Sequence, residues 1–258
     1  MSLPLIMFMG GGGFSVKGVD FDGTNDYMSR GAGWTDAVDH TDGIFSVWLR
    51  LDGGDGTVMS ILDGATGNAS AIWRDANNKF RMFFTNTATT ATFGFTTATA
   101  RTATAPASWI HLLMAWQSNS SNIQQVYIND VSDFGTNDNN LGGDLGALDY
   151  TRPDWRVGEG GLSGFPGVGK FNGCMAEYYF APGQYLDISV TANRRKFITA
   201  SGKPVNLGDD GSLPTGTSPI VYFKLASTDQ QANKFRLNQG MGGDMTITGK
   251  LDLSSTNP

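Results

Sequence analysis

The chain has 258 residues, a formal net charge of −6 and a pI near 4.8, a balance that excludes general nucleic-acid binding, which needs a basic footprint. Charged residues make up only 16%, against roughly 25% in typical soluble chains. Even so, 40% hydrophobic content with 16 Phe and 6 Trp excludes wholesale disorder, and the absence of 18 consecutive apolar residues excludes a helix across a bilayer. Of the 24 acidic residues 22 are Asp, the two Glu being Glu159 and Glu177, and 35 residues are Gly. Asp and Gly suit turns, whereas Glu favours helices. The composition predicts an all-β chain.

The chain opens on an apolar stretch, Met1 to Met9, followed by Gly10 to Gly13. It has no basic n-region and its apolar run is short, so it does not read as a secretion signal. Residues 1–13 are read instead as an arm, with Leu3, Leu5, Ile6 and Phe8 docking on a neighbouring subunit or packing back on the chain's own sheet. From residue 14 the pattern becomes one of alternation. Ile44–Leu51 puts Phe45, Val47, Leu49 and Leu51 on one face, with Ser46 and Arg50 on the other. In Lys79–Thr85, Phe80, Met82 and Phe84 share a face, as do Ile110, Leu112, Met114 and Trp116 in Ser108–Trp116. Side chains alternate across a strand, so each run presents one buried wall.

Further strands are expected at Phe14–Phe21, Thr57–Leu62, Asn122–Ile128, Asp154–Val157, Asn172–Phe180, Ile220–Leu225 and Met245–Thr248. The Thr-rich stretch Thr85–Ala107 reads as a polar-faced outer strand pair, or alternatively as a loop. A short helix is expected near Ser189–Thr199, capped by Ser189 or Thr191. Many short strands separated by turn clusters suggest an antiparallel two-sheet β-sandwich or jelly roll with one short helix.

Five motifs in order carry a resemblance. Phe21-Asp-Gly-Thr-Asn-Asp-Tyr27, Trp109-Ile-His111, Tyr127-Ile-Asn129-Asp130, Arg156-Val-Gly158 and Phe171-Asn-Gly173-Cys-Met-Ala-Glu177 resemble the successive signatures of laminin-G-like, concanavalin-A-like jelly rolls. The match covers about Phe14 to Leu186. It implies a single domain over residues 14–258, with 187–258 as an extension contributing further strands. Asp130 replaces the Gly of the family hairpin, so a wider turn is expected there. The tail, including Asn193-Arg-Arg-Lys-Phe197 and Gly202-Lys-Pro-Val-Asn-Leu-Gly208, resembles a segment attached to such modules in bacteriophage structural proteins.

The family includes glycosidases, which need paired carboxylates, and two Glu cannot supply the sandwich-glucanase arrangement. Glu177 is read as a buried or rim carboxylate. Gly164 to Lys170 matches a phosphate loop by letter, but Phe171 follows where Ser or Thr is needed and a strand replaces the helix. His40 and His111 are too few for a zinc site with Cys174, and His111 is assigned to packing. No catalytic constellation is expected, and the chain is read as non-enzymatic. No cofactor is assigned; calcium, which needs six to eight oxygens, has weak candidate ligands in Asp22, Asp26, Asp52, Asp55, Asp138 and Asp144. Trp34, Trp73 and Trp155 fall at segment edges or loops, where they would stack on a sugar or fill a subunit contact.

The leading expectation from the tail resemblance is therefore a bacteriophage virion protein, a capsid decoration or fibre-associated module. It would be made in the host cytoplasm without a signal peptide and would bind other virion proteins, copies of itself or a host-surface glycan, with no nucleic acid and no membrane insertion. The alternatives are a lectin-like carbohydrate-binding module and a degenerate glycoside hydrolase.

Overall fold

The computed structural model describes residues 14–65, 70–88, 92–103, 108–138, 144–161 and 169–258. The Leu3–Phe8 arm and most of the phosphate-loop look-alike lie outside them. The strands are β1 (Val19–Asp22), β2 (Tyr27–Arg30), β3 (Asp42–Leu51), β4 (Met59–Ala65), β5 (Ser70–Arg74), β6 (Phe80–Thr85), β7 (Thr92–Thr97) and β8 (Trp109–Gln117). They continue with β9 (Ile123–Ile128), β10 (Val131–Ser132), β11 (Phe134–Asn137), β12 (Asp154–Val157), β13 (Asn172–Pro182), β14 (Val221–Phe223), β15 (Thr246–Thr248) and β16 (Asp252–Leu253). One helical turn, α1 (Thr191–Arg194), and one 3-10 turn, Ala232–Arg236, complete the described elements. No helix among the described residues is long and apolar enough to cross a membrane.

The strands form two antiparallel eight-stranded sheets. The first runs β10-β9-β8-β3-β13-β1-β16, with β14 also on β13, and the second runs β11-β7-β6-β5-β4-β12-β2-β15. Alternation decides which side chains meet between them. Phe45, Leu112, Trp116 and Phe180 from the first sheet face Ile72, Phe84, Phe93 and Trp155 from the second. Phe84 stacks on Trp116 at 5.7 Å and on Phe180 at 6.2 Å, pairs that each add about 0.5–1.5 kcal/mol beyond their buried area. The Trp116 Nε1–H donates to the Tyr150 hydroxyl at 2.8 Å, which satisfies a buried donor that would otherwise cost stability.

The outer face of the first sheet is also covered, by the chain's own C-terminal half. Ile188, Phe197 and Leu207 pack on Ile44, Leu113, Tyr179 and Tyr222. Arg194 fastens this cover: its Nε donates to Asp130 Oδ1 at 2.5 Å and its Nη1 to the carbonyls of Ile188 and Ser189 at 2.8 and 2.9 Å. The chain then returns to the sandwich as β14, β15 and β16.

Four local expectations need correction. Thr85–Ala107 contains one described strand rather than a pair, and that strand, β7, is buried at Phe93, Phe95, Thr96 and Thr97 because β11 and β6 flank it. Residues 89–91 and 104–107 lie outside the described set. The helix is four residues long and starts after Val190 with no side-chain cap, since Ser189 donates instead to Asp187 Oδ1 at 2.6 Å. The first strand begins at Val19, with only an isolated bridge at Val16 before it. The Asn129-Asp130 turn is tight rather than wide. Ile128 pairs with Val131, and the two central residues take φ of 50° and 67°, the left-handed pair of a two-residue hairpin that Asn and Asp tolerate.

Candidate functional site

Among the described residues no apolar segment packs on the outer face of the second sheet as residues 188–207 do on the first, although Asp63, Ala71 and Trp73 on that face are buried. Because Met28, Ile72, Met82 and Trp155 point inward, their strand neighbours point outward. The register sets a row across six strands: Thr246 opposite Ser29, then Arg156, Asp63, Ala71 and Phe83. A neighbouring row carries Trp73, Arg81 and Thr96.

Each end of this face holds a cation over an aromatic ring. At the β5–β7 end the Arg81 guanidinium lies 5.3 Å over the Trp73 ring and its Nη2 donates to Asp138 Oδ2 at 2.7 Å. The Thr96 hydroxyl donates to the same oxygen at 2.6 Å. At the β2–β12 end Arg156 and Lys170 lie 5.4 and 4.6 Å over the Tyr27 ring. Arg156 Nη1 donates to Glu159 Oε2 at 2.6 Å, and Lys170 Nζ binds the other oxygen of the same carboxylate. Arg81 and Arg156 lie in neighbouring rows three strand spacings apart, about 14 Å measured across the strands. Half-buried guanidinium and carboxylate groups held in place by ion pairs offer planar donors and acceptors that hydroxyl pairs can engage. Ordering these side chains before binding lowers the entropy cost of holding a ligand.

The tryptophans singled out in the sequence do not present bare rings. Trp34 is 5%, Trp73 2% and Trp155 0% exposed. Trp34 leans on Trp155 at 6.0 Å and on Phe223 at 6.5 Å, so both serve the core. Trp73 does point outward, with the Arg81 guanidinium 5.3 Å over its ring. The face instead uses Tyr27, Arg81, Arg156, Glu159 and Lys170, which sequence reasoning did not select. A signal was available: Arg81 and Arg156 each interrupt an alternating apolar run, Phe-Arg-Met-Phe and Trp-Arg-Val, and period two forces both outward.

The calcium candidates are engaged by donors of the chain itself. Asp52 is held twice by Arg50, at 2.8 and 2.6 Å. Asp55 accepts from Arg74 Nη1 and from the Ala103 N–H, both at 2.9 Å, and that N–H leads in pulling its pKa down. Asp138 is taken by Arg81 and Thr96. Asp22 Oδ1 accepts three N–H groups, from Thr24, Asn25 and Asp26. Asp26 is buried, which raises its pKa, and accepts the Lys250 N–H at 2.7 Å. Asp144 Oδ1 caps the Gly146 N–H at 2.9 Å. Each of these carboxylates thus already accepts from donors of the chain itself. Asp20, Asp52 and Cys174 do converge within 4.8 Å, but Arg50 occupies that group, and the thiol, whose pKa is raised by burial, donates to Asp20 at 3.2 Å.

His111 and Glu177 are both buried. His111 stacks on Trp48 at 4.9 Å, its Nε2 lies 2.8 Å from Ser46 Oγ, and burial pushes its pKa down to about 3, which agrees with a packing role. Glu177 is 2% exposed. It accepts from the Tyr222 hydroxyl of β14.

No family model matches the chain, and no curated protein matches it significantly. Solved structures do match. A protein of Bacteroides ovatus described as a candidate carbohydrate-binding protein superposes with a TM-score of 0.61 at 10% identity, over 95% of this chain and 61% of its own. A heptameric SAP-like pentraxin from Limulus polyphemus gives 0.50 at 10% identity, covering 93% of this chain and 95% of its own. Domains LG4-5 of the mouse laminin α1 chain give 0.50 at 14% identity, over 68% and 45%. The fold is a laminin-G-like, concanavalin-A-like jelly roll. At these identities the likeness concerns the fold, and this jelly roll spans 61% of the length of the Bacteroides ovatus protein.

Proposed function

We propose that this jelly roll is a non-catalytic carbohydrate-binding module that holds a glycan across the outer face of its second sheet. The observation that carries the reading is the contrast between the two outer faces. The first is covered by Ile188, Phe197 and Leu207, whereas among the described residues the second has no such apolar layer and carries the Arg81–Trp73 and Arg156–Tyr27 pairs toward its two ends. The Bacteroides ovatus neighbour, described as a candidate carbohydrate binder, supports the same class. The virion role implied by the tail resemblance draws no support from these neighbours.

The test is retardation of the protein in native gels containing neutral and acidic polysaccharides, backed by a glycan array. Retardation by at least one polysaccharide is expected, and Arg81→Ala combined with Arg156→Ala should abolish it while leaving the fold intact by circular dichroism. Retardation unchanged in the double variant moves the site elsewhere. No binding to any glycan, together with copurification with particles, would favour the virion role.

A further inference from the structure

A second feature lies at the β15 edge of the second sheet. A cleft of about 560 Å³ separates the 3-10 turn from β15 and the turn after it, lined by Asn233, Arg236, Thr246, Ile247, Lys250 and Leu251. Leu251 is buried and Ile247 half-buried, so the floor is apolar, while Asn233 and Lys250 are exposed at the rim.

Arg236 stands apart from the other arginines. Eight of the ten face a carboxylate within 4.0 Å. Arg30 spends its fork on Gly33 O, Asp244 O and Thr35 Oγ1. Arg236 makes one long contact, Nη1 to Met245 O at 3.3 Å, and faces no carboxylate among the described residues. A guanidinium offers a rigid planar fork that suits an anionic group taken two oxygens at a time. Lys250 adds positive charge, though it shares Asp252 at 2.7 Å. Asp26 lies close to Gly249, but its Oδ1 is committed to the Lys250 N–H. Pockets that combine an apolar floor with a few directed polar groups are the usual form of a small-ligand site.

We infer that this cleft receives an acidic sugar residue, its anionic group on Arg236 and its ring over Ile247 and Leu251. The inference rests on the carbohydrate-binding reading and assigns an end to the glycan path, because Thr246 both lines the cleft and continues the row through Ser29 and Arg156.

Amide chemical shifts of the full chain, titrated with sodium glucuronate, glucose 6-sulfate, glucose and inorganic sulfate, test it. Either acidic sugar should shift residues 233–236 and 246–251, identifying carboxylate or sulfate ester as the group, while glucose and inorganic sulfate at equal concentration should not. Arg236→Gln should weaken the acidic-sugar response by about tenfold or more, the scale of a lost charge-assisted pair. Arg236→Lys, which keeps charge without the fork, should fall between. An unchanged melting temperature shows that the variants fold; if Arg236→Gln does not fold, the Lys variant carries the comparison. Inorganic sulfate shifting the cleft as strongly as the sugars, or acidic sugars shifting only the Arg81 face, overturns the inference. Retention of neutral polysaccharide with no cleft response sinks the cleft alone, and loss of all glycan binding sinks both readings.

Discussion

The Tyr222 hydroxyl donates a 2.6 Å hydrogen bond to Glu177 Oε2, inside the layer between the first sheet and the segment that covers it. Glu177 is the inserted residue of a bulge: the β13–β3 register shifts between Ala176 and Tyr179, and Glu177 takes φ of 48°. The insertion keeps Met175, Tyr178 and Phe180 all in the inter-sheet core. It also leaves Glu177 Oε1 buried with no hydrogen-bond partner.

Burial pushes the Glu177 carboxyl up to about 7 from its ordinary 4.5, although the Tyr222 bond and Lys224 oppose the rise. A raised acid binds more protons folded than unfolded, so its contribution to stability falls as pH rises from 4.5 to 7 and is constant above. The ionised form costs about 3 kcal/mol at the plateau. Melting curves of the wild type and Glu177→Gln between about pH 4 and 8 should therefore diverge, the variant gaining relative stability as pH rises. Parallel curves would refute the assignment.

Arg194 is the expected weak point of the C-terminal cover. It is buried, bonds Asp130 and two carbonyls, and lies 4.4 Å over the Tyr127 ring. Arg194→Ala strips partners from Asp130 and from the carbonyls of residues 188 and 189, a loss of about 3 kcal/mol. Hydrogen exchange should show faster opening in residues 185–219 than in β3 or β8. Uniform acceleration across both sheets would show that the cover does not open separately.

Strands with clean period two were legible: the short Asp154–Val157 has the bounds read from its sequence, and the longer β3, β6 and β8 differ by one or two residues. The strands that escaped had no such signal. Tyr27–Arg30 and Ser70–Arg74 are short and mix polar with apolar residues, and β10, β11 and β16 are two to four residues long. Their pairing is imposed by neighbours rather than by local propensity. The bulge at Glu177 is invisible to alternation, which assumes one residue per step. The site was half legible: the pattern aimed Arg81 and Arg156 outward, but the partners Asp138, Glu159 and Lys170 come from loops and strand ends whose approach no spacing encodes.

Gly173 gives the resembled Phe-Asn-Gly motif a physical cause. Its φ is 146°, and a Cβ there would lie 2.0 Å from the Arg50 carbonyl oxygen in the adjacent strand. Backbone of a central strand cannot give way, so Gly173→Ala should destabilise by several kcal/mol, on the order of the largest single-site effects. Gly56→Ala is the contrast. It has φ of 74° with nothing within 4 Å of the added carbon, and should cost about 1 kcal/mol. Denaturant midpoints of the two variants compare them directly, and equal losses would remove the steric argument.

Asp138 should separate binding from stability. It holds Arg81 over Trp73, yet both members of the pair are partly exposed, Arg81 at 31% and Asp138 at 21%. Such pairs contribute about 0–1 kcal/mol to folding. Asp138→Asn keeps the shape and an acceptor oxygen for the Thr96 hydroxyl but removes the charge that orients the guanidinium. Glycan retardation should weaken several-fold while the melting temperature moves little. Asp138→Glu, with the carboxylate restored on a longer arm, should recover part of the binding. If Asp138→Asn binds glycan as the wild type does, Arg81 needs no such orientation, and the β2–β12 end alone would have to carry recognition.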